Sequence, residues 1–299
     1  MNRSCTFQNH IYIKEKQLLQ KIAWITDTAA QLDDAFIQKY DVYVLPLGVV
    51  FSDVCYKESI DITKDEFYDK LRAEKVSPKT SQPAIGEMTS LYERLQADGY
   101  DFAVAVHLSS GLSGTFETAR AAANMTDFPV YPIDSKIGSF PMVKMIEIGN
   151  ELFADGKEPE EVVATLNAMT CHSKLSFIPG GLGQLHKSGR VSGTQAFLSN
   201  LLNIKVLISF ENGKAVMTEK VRSNKRAKNH VTSLLRADMV KADVPEVAVI
   251  HCHNAHDAEI WKNELQSEFP TLQVHVVSLS VCVAVHAGEG TTGLSWVTY

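Results

Sequence analysis

Short apolar runs alternate with helix-like patterns through the first half of the sequence. Four of the runs have the length of strands and lie at 22–26, 42–45, 102–106 and 130–133. The segments between them carry helical periodicity or helix start signals, such as the capping box of Thr63 and Glu66. Because strands that alternate with helices favour parallel βαβ units, we predict an α/β domain with a parallel sheet over residues 21–170.

The pattern changes after residue 170. Asn212-Gly213 lies between two strand-like runs, 206–210 and 215–221, and this dipeptide is typical of a tight hairpin between antiparallel strands. Helix and strand patterns then follow one another to residue 277. We therefore predict a second α/β domain over residues 171–299, built on a mixed or antiparallel sheet.

Composition and charge exclude several classes of protein. The 299 residues include 29 Lys and Arg against 35 Asp and Glu, a net charge of −6, so no overall positive field exists to hold nucleic acid or anionic lipid. The most apolar stretch, 274–287, is interrupted by polar residues and is shorter than the roughly 18 residues of a spanning helix. Residues 1–20 lack the apolar core of a secretory signal and are predicted to be an N-terminal extension. We expect a cytoplasmic protein without stable membrane insertion.

Three segments place hydroxyls or glycines directly after predicted strands, where α/β proteins bind ligands in crevices. The first, 26–29, is typical of a turn with a helix N-cap. The second, 109–115, enters a predicted helix, so its N–H groups and hydroxyls can hold a carboxylate or phosphate at the positive end of the helix dipole. An ordinary Ser or Thr cap explains that loop equally well. The third contains Thr80 and Ser81, which can donate to an anion or begin a capped helix.

The second half offers two candidate partners for an anion. Arg190 follows an apolar turn, and His286 follows the last strongly apolar segment. A guanidinium matches the geometry of a carboxylate, and an imidazole adds a second donor.

A metal site is the less favoured interpretation of the histidines. His251, Cys252 and His253 are consecutive, and His256 lies nearby, which places imidazoles on one face of a strand. The five cysteines are scattered without a C-x-x-C pattern, and no carboxylate cluster completes the set. The end of a strand entering a loop explains the pattern better, and we predict no metal.

An enzyme is the alternative function that the residues leave open. Ser110 and His286, with Asp27 or Asp134, are the residue types of a hydrolase triad. In a phosphoryl transferase the 109–115 loop would take the phosphate, with His286 as base or phosphocarrier. The sequence contains neither a G-x-S-x-G elbow nor a Walker loop, which weakens both versions.

A basic run is the one strong local concentration of charge. Its members lie within nine positions and are Lys220, Arg222, Lys225, Arg226 and Lys228. Such a run is typical of a solvated helix face or of a docking patch for an acidic partner. A regulatory module that acts through this helix is therefore a third possible function, whereas general nucleic-acid binding would need a longer patch.

Seven short motifs, taken in order, resemble the signature of the DegV family of bacterial fatty-acid-binding proteins. They are Ile25-Thr26-Asp27-Thr28, Pro46-Leu47, Thr80-Ser81-Gln82-Pro83, Ser109-Ser110-Gly111-Leu112-Ser113-Gly114-Thr115, Asp134-Ser135, Leu185-His186-Lys187-Ser188-Gly189-Arg190 and His286-Ala287-Gly288-Glu289-Gly290. Each motif is weak alone, but seven in this order and at this spacing are specific. The resemblance runs from about Lys21 to the C-terminus.

The resemblance implies a two-domain α/β protein that holds one long-chain fatty acid in an internal tunnel, without a cofactor and without catalytic residues. The family's positions for the fatty acid carboxylate fall on Thr80, Ser110 and His286, with Arg190 nearby. The residues expected to support this site share a place in the two hydroxyl-rich segments and are Ser81, Ser109, Ser113, Gly114 and Thr115.

The resemblance also implies a partner. In the family a separate ATP-dependent fatty acid kinase converts the bound acid to an acyl phosphate for phospholipid metabolism, so the chain would be a substrate-presenting subunit and not an enzyme. The kinase contact would fall on Arg222, Lys225 and Arg226, and membranes would be met only in transient exchange. The sequence departs from the family at Glu289, which replaces a common Pro and places a negative charge beside the expected carboxylate site.

Overall fold

The computed structural model describes residues 20–74, 77–192 and 204–299. Residues 1–19, which make up nearly all of the predicted N-terminal extension, lie outside the described residues, so that prediction is untested. The predicted boundary near residue 170 falls between the helix that ends at Met169 and the strand that begins at Ser173, and it stays a prediction.

The first half of the chain alternates strands and helices as predicted. In chain order its elements are β1 (Ile22–Asp27), a 3₁₀ turn (Thr28–Ala30), α1 (Asp34–Tyr40), β2 (Val42–Leu45), β3 (Gly48–Phe51), β4 (Val54–Lys57), α2 (Lys64–Ala73), β5 (Lys79–Ser81), α3 (Ile85–Ala97), β6 (Phe102–His107), α4 (Thr115–Ala123), β7 (Val130–Asp134), α5 (Phe140–Ala154) and α6 (Pro159–Met169). The predicted capping box is confirmed, because Thr63 and Glu66 each bond the other's backbone N–H at the start of α2.

A parallel sheet of order β2-β1-β6-β7 forms the centre of this half. Its middle strands, β1 and β6, are buried along almost their whole length, as expected for a sheet covered on both faces. The predicted parallel-sheet domain is therefore confirmed. The carboxyl ends of β1, β6 and β7 meet at one edge, so the loops that follow them lie together.

A second sheet in this half, of order β4-β3-β5, is antiparallel and was not predicted. Its β3–β4 turn consists of Ser52 and Asp53, both with positive φ, the geometry that a two-residue type I′ turn requires. Neither residue is the Asn or Gly that normally indicates such a turn, so the hairpin carried no recognisable signal. Thr80 and Ser81 lie in β5, which corrects the alternative that they begin a capped helix.

The second half forms a mixed sheet of order β13-β12-β14-β8-β10-β11-β9. Its elements in chain order are β8 (Ser173–Ile178), α7 (Leu182–Ser188), β9 (Val191–Ser192), β10 (Lys205–Glu211), β11 (Lys214–Val221), α8 (Asn224–Met239), β12 (Glu246–His251), α9 (Ala255–Glu268), β13 (Gln273–Ser278), α10 (Val281–Ala287) and β14 (Thr292–Val297). The predicted mixed-sheet domain is confirmed. The hairpin at Asn212-Gly213 is also confirmed, with both turn residues at positive φ.

Two elements near the C-terminus, α10 and β14, were not predicted. The apolar run from β13 into α10 hides the change from strand to helix, because valines fill both elements. The structure separates them at Ser280, whose hydroxyl caps α10 by accepting from the N–H of Cys282. Among the helices of the described residues, none combines the length and the apolar character that crossing a bilayer needs.

Candidate functional site

A cavity of about 490 Å³ lies between the carboxyl edge of the parallel sheet and the mixed sheet. This volume falls within the range of roughly 300–1,000 Å³ that is typical of small-molecule pockets. The loops after β6 and β7 and strand β5 line one side, largely with hydroxyls and glycines. The other side is a mainly apolar wall formed by residues that include Leu175, Phe177, Phe210, Ile250, Leu279 and Val283.

All four predicted carboxylate-binding residues line this cavity: Thr80, Ser110, Arg190 and His286. The predicted supporting residues divide into two groups. Ser81, Ser113 and Gly114 also line the cavity. Ser109 and Thr115 are fully buried behind the lining, and Thr115 Oγ1 lies 2.8 Å from the Oγ of Ser113.

Ser109 ties the 109–115 loop to the other half of the chain. Its Oγ donates to the carbonyl of Gly213 at 2.6 Å and accepts from the N–H of Gly111. Gly111 must lack a side chain here, because a Cβ would lie 2.4 Å from the Gly213 carbonyl oxygen. The composition indicated hydroxyls that point at one spot, whereas in the structure they have separate partners, Gly213 for Ser109, Asp134 for Ser110 and Thr115 for Ser113. The helix α4 that follows begins after Gly114 without a side-chain cap, so the alternative of an ordinary Ser or Thr cap is wrong.

Ser110 is held by a carboxylate at the exposed end of the cavity. Its Oγ donates to Asp134 Oδ2 at 2.5 Å, and its N–H donates to Asp134 Oδ1 at 3.0 Å. An ionised carboxylate only accepts, so the hydroxyl proton of Ser110 is committed to Asp134. What Ser110 presents to the cavity in this arrangement is a lone pair.

Thr80 of β5 and His286 of α10 form a second polar contact on the cavity lining. Thr80 Oγ1 lies 2.9 Å from His286 Nε2, and His286 Nδ1 is buried without a hydrogen-bond partner among the described residues. If Nε2 carries the ring proton, it donates to Thr80, whose own proton is then free. If Nδ1 carries it, Thr80 donates to Nε2 and Nδ1–H is free. Because Nδ1 is buried, only the first tautomer leaves the pair a proton, that of the Thr80 hydroxyl, for a ligand oxygen in the cavity.

His286 is neutral at pH 7. Burial, and secondarily the positive charge of Arg190, lower the pKa of His286 from its ordinary 6.5 to about 4. The positive charge at this end of the cavity therefore comes from Arg190, whose side chain is exposed.

Helix α10, which carries His286, is attached to the small antiparallel sheet along its length. At its first turn Glu58 Oε1 accepts from the N–H of Val281 at 2.8 Å, and Glu58 Oε2 accepts from Ser280 Oγ at 2.6 Å. The same carboxylate accepts from Thr28 Oγ1 at 2.7 Å. Burial raises the pKa of Glu58, and the bonds from Ser280, Thr28 and Val281 oppose that shift. One residue later, Cys282 Sγ donates to the Gly48 carbonyl at 3.4 Å.

The structure does not assemble the catalytic triad that the sequence left open. Ser110 bonds Asp134 directly, and His286 bonds Thr80, so serine and histidine are committed to separate partners and do not form a triad. Asp27 is also occupied, since it accepts from His107 at 3.1 Å and from the N–H of Leu108. The hydrolase interpretation therefore lacks its serine–histidine contact.

The histidine cluster after β12 also has local partners. His251 Nδ1 accepts from the N–H of Asn254, and the ring of His253 lies 4.4 Å from that of Tyr68. Burial raises the pKa of Cys252 to about 12, so its thiol stays protonated. Within the described ranges, no group of three or more potential ligands is placed to hold a metal ion.

The basic run lies away from the cavity. Arg222, Lys225 and Arg226 are exposed at the start of α8, beyond the end of β11 at Val221. Ala215, near the other end of β11, lines the cavity, and six residue steps of a strand span about 20 Å.

Glu289 does not add its charge to the cavity. Its carboxylate pairs with Arg72 of α2, and it is absent from the cavity lining. The departure at Glu289 therefore places its charge against Arg72 and outside the cavity lining.

Sequence reasoning missed two polar residues of this region, Glu58 and Ser139. Ser139 lines the cavity just before α5. A serine ahead of Phe140-Pro141 is typical of a helix N-cap, and that ordinary interpretation hides a place in the cavity wall. Glu58 carried no motif, because its partners Ser280 and Val281 lie more than 200 positions away in the sequence.

Comparisons with known proteins all lead to one family. The model of the DegV family, described as a family of uncharacterised proteins, matches residues 21–299. A DegV domain-containing protein of Halalkalibacterium halodurans is 33% identical over 93% of this chain and 99% of its own length. Among solved structures, DegV of Bacillus subtilis, described as a fatty acid binding protein, is 33% identical with a TM-score of 0.85, covering 94% of this chain and 100% of that one. A fatty acid binding DegV family protein of Streptococcus agalactiae is 29% identical with a TM-score of 0.86, covering 94% and 99%.

Proposed function

This chain belongs to the DegV family, and from that premise we propose that it binds one long-chain fatty acid in the cavity, with the carboxylate at the exposed end. The observation that carries the proposal is the pairing of an extended apolar wall with a small polar group of Thr80, His286 and Arg190. Two relatives of similar fold, from Bacillus subtilis and Streptococcus agalactiae, are described as fatty acid binding, which supports the same ligand class.

The hydrocarbon chain provides most of the affinity. Burying about 14 methylenes at about 0.8 kcal/mol each contributes roughly 11 kcal/mol before the costs of ordering the ligand. The wall that includes Phe177, Phe210 and Ile250 supplies the apolar surface for this burial. The polar end then needs only a few donors to fix the direction in which the chain enters.

The carboxylate is received by one hydrogen-bond donor and one cation. The Thr80–His286 pair offers its single free proton, and Arg190 offers a positive charge on the same lining. Ser110 contributes less than its position indicates, because Asp134 already takes its proton and adds a negative charge beside it. Ser110 would become a donor only if its hydroxyl turned from Asp134 to the ligand.

Native mass spectrometry of the purified protein tests this proposal. We expect the added mass of one fatty acid, and we expect Thr80→Ala combined with Ser110→Ala to reduce its retention. Ser233→Ala removes an exposed hydroxyl on α8 and should leave retention as it is. Protein that carries no lipid and takes up none when mixed with palmitate would rule the proposal out. Unchanged retention in the double variant would show that Thr80 and Ser110 do not hold the carboxylate, while fatty acid binding itself would stand.

The proposed partner is an ATP-dependent fatty acid kinase in the cytoplasm, to which this chain presents the carboxylate without performing chemistry itself. The exposed Arg222, Lys225 and Arg226 support an acidic docking partner. Because they lie about 20 Å along β11 from the cavity wall, they would contact a surface of the kinase that lies away from its active site. Lys225→Glu with Arg226→Glu should slow acyl phosphate formation by added kinase while palmitate affinity stays constant. An unchanged rate would reject this docking surface.

A further inference from the structure

A single buried hydroxyl joins the end of α10 to the loop that begins α7. Thr291 is fully buried directly before β14, and its Oγ1 lies 2.9 Å from the carbonyl oxygen of Ala287 and 2.7 Å from that of Gly288. The same oxygen accepts from the N–H of Gly180 at 2.9 Å. A hydroxyl has one proton and two lone pairs, so Thr291 donates to the end of α10 while it accepts from the loop before α7.

The two segments that this hydroxyl joins lie very close together. A Cβ on Gly180 would lie 1.9 Å from the carbonyl oxygen of Glu289, so the loop can approach α10 only because residue 180 is glycine. Without the Thr291 hydroxyl, the Gly180 N–H would keep a longer bond to the Ala287 carbonyl, at 3.2 Å. Loss of the hydroxyl would therefore loosen this junction without opening it.

His286 is the next-to-last residue of α10, so an anchor at the end of the helix acts on it directly. The last carbonyls of a helix have no acceptor role inside the helix, and Thr291 supplies a donor for that of Ala287. Glu58 holds the other end of the helix, at Val281. Glu58 thus fixes where α10 begins, and Thr291 fixes the last turn, which carries the imidazole.

Arg190 is held on the other side of the same junction. Helix α7 starts after Gly180, packs against α10 and ends just before Arg190. The strand after Arg190, β9, pairs with β11, which holds this end of the segment. After burial, the charge of Arg190 is the second cause that lowers the pKa of His286, so the two side chains act on each other electrostatically. The place of the imidazole relative to the guanidinium therefore depends on how α10 is joined to α7.

We propose that Thr291 is a positioning residue for the carboxylate site, which acts by holding His286 in place against Thr80 and Arg190. The inference rests on fatty acid binding as the function. When His286 Nε2 donates to Thr80, the Thr80 hydroxyl keeps its proton for the ligand, and a displaced imidazole would lose this contact. Neither Thr291 nor Gly180 belongs to the cavity lining, so contacts of the hydrocarbon chain should not depend on the junction.

The test compares palmitate with hexadecanol, which has the same chain length but no carboxylate, by competition with a fluorescent fatty acid on the delipidated full-length protein. We expect the natural protein to prefer palmitate. Thr291→Val keeps the shape of the side chain without its hydroxyl and should lower palmitate affinity about tenfold, with hexadecanol affinity within about twofold of the natural value. Thr291→Ser keeps the hydroxyl and should keep the preference. Thr291→Ala should repeat the selective loss if the valine variant folds poorly.

A matched control is available in α6. Thr165 is exposed, and its Oγ1 donates at 2.9 Å to the carbonyl of Glu161, four residues earlier, as Thr291 does to Ala287. Thr165→Val should therefore remove a comparable bond and leave both affinities as they are.

The possible failures are distinguishable. Equal losses for palmitate and hexadecanol in Thr291→Val would show a general structural role and overturn the inference, as would unchanged palmitate affinity. Loss of the preference in Thr291→Ser would show that the hydroxyl is not what matters, with the same result. A natural protein that binds palmitate and hexadecanol equally would overturn head-group positioning and leave lipid binding intact. A natural protein that binds neither would overturn fatty acid binding itself.

Discussion

The two sides of the cavity differ in chemistry and in how they are built. The half with the parallel sheet contributes polar loops and strand β5, with Thr80, Ser110 and Ser139 on the lining. The mixed-sheet half contributes a mainly apolar wall, which also carries the side chains of Arg190, His286 and Cys282. Binding an amphipathic ligand needs both sides. Burial of apolar surface contributes most of the binding free energy but does not orient the ligand, whereas hydrogen bonds orient it and contribute little free energy.

The difference also concerns how each side is held in place. The polar loops are fixed mainly by bonds within their own half, such as those of Asp27 to His107 and Leu108, and at one point across it, by Ser109 on the Gly213 carbonyl. The helix that carries His286 is instead fixed by the opposite half, through Glu58 at its first turn. The geometry of the polar end therefore depends on the contact between the two halves.

The largest expected effect comes from filling the apolar side. Val283 lines the cavity from α10, and Val283→Trp would place an indole in the space proposed for the hydrocarbon chain. Because the chain contributes most of the binding free energy, we expect palmitate affinity to fall at least about 1,000-fold. Titration with a fluorescent fatty acid measures this. Val240→Trp, at an 82% exposed position after α8, is the matched control and should bind as before. A Val283→Trp protein that still binds tightly would place the chain elsewhere.

The next effect comes from detaching the two halves at Glu58. Glu58→Ala would leave Thr28 Oγ1, Ser280 Oγ and the Val281 N–H without their buried acceptor. We expect the free energy of unfolding in urea to fall by about 3 kcal/mol. Glu58→Gln keeps one carbonyl oxygen as an acceptor and should lose less. Equal stability in all three proteins would show that these bonds do not hold α10.

Much of the fold and part of the site follow from the sequence, and the division between them mirrors the two sides of the cavity. Ser110 and Gly114 are recognisable in the sequence, because they belong to a cluster of hydroxyls and glycines directly after β6, whereas Thr80 lies within β5 and is recognisable only by its motif. Phe177 and Ile250 look like any core residue, because only packing decides whether an apolar side chain faces a cavity or another side chain. Long-range partners such as Glu58 and Ser280 leave no local pattern at all.

The smallest expected effect concerns the protonation of His286. Its pKa of about 4 in the folded protein lies below the ordinary 6.5, so between these pH values the unfolded chain binds a proton that the folded chain excludes. The contribution to stability is complete above pH 6.5 and is lost as the pH falls towards 4. The difference between a pKa of 6.5 and one of about 4 corresponds to about 3 kcal/mol, which partial exposure of the ring reduces to about 2 kcal/mol.

Urea unfolding at a series of pH values measures this loss. His286→Asn should flatten the decline between pH 6.5 and 4, and His256→Gln, at an exposed position, should leave it as in the natural protein. Saturating palmitate should also flatten it, because a carboxylate beside the ring favours the imidazolium and raises the pKa of His286. If palmitate steepens the decline instead, the acid group is not beside His286, and the polar end of the ligand must lie against another part of the cavity.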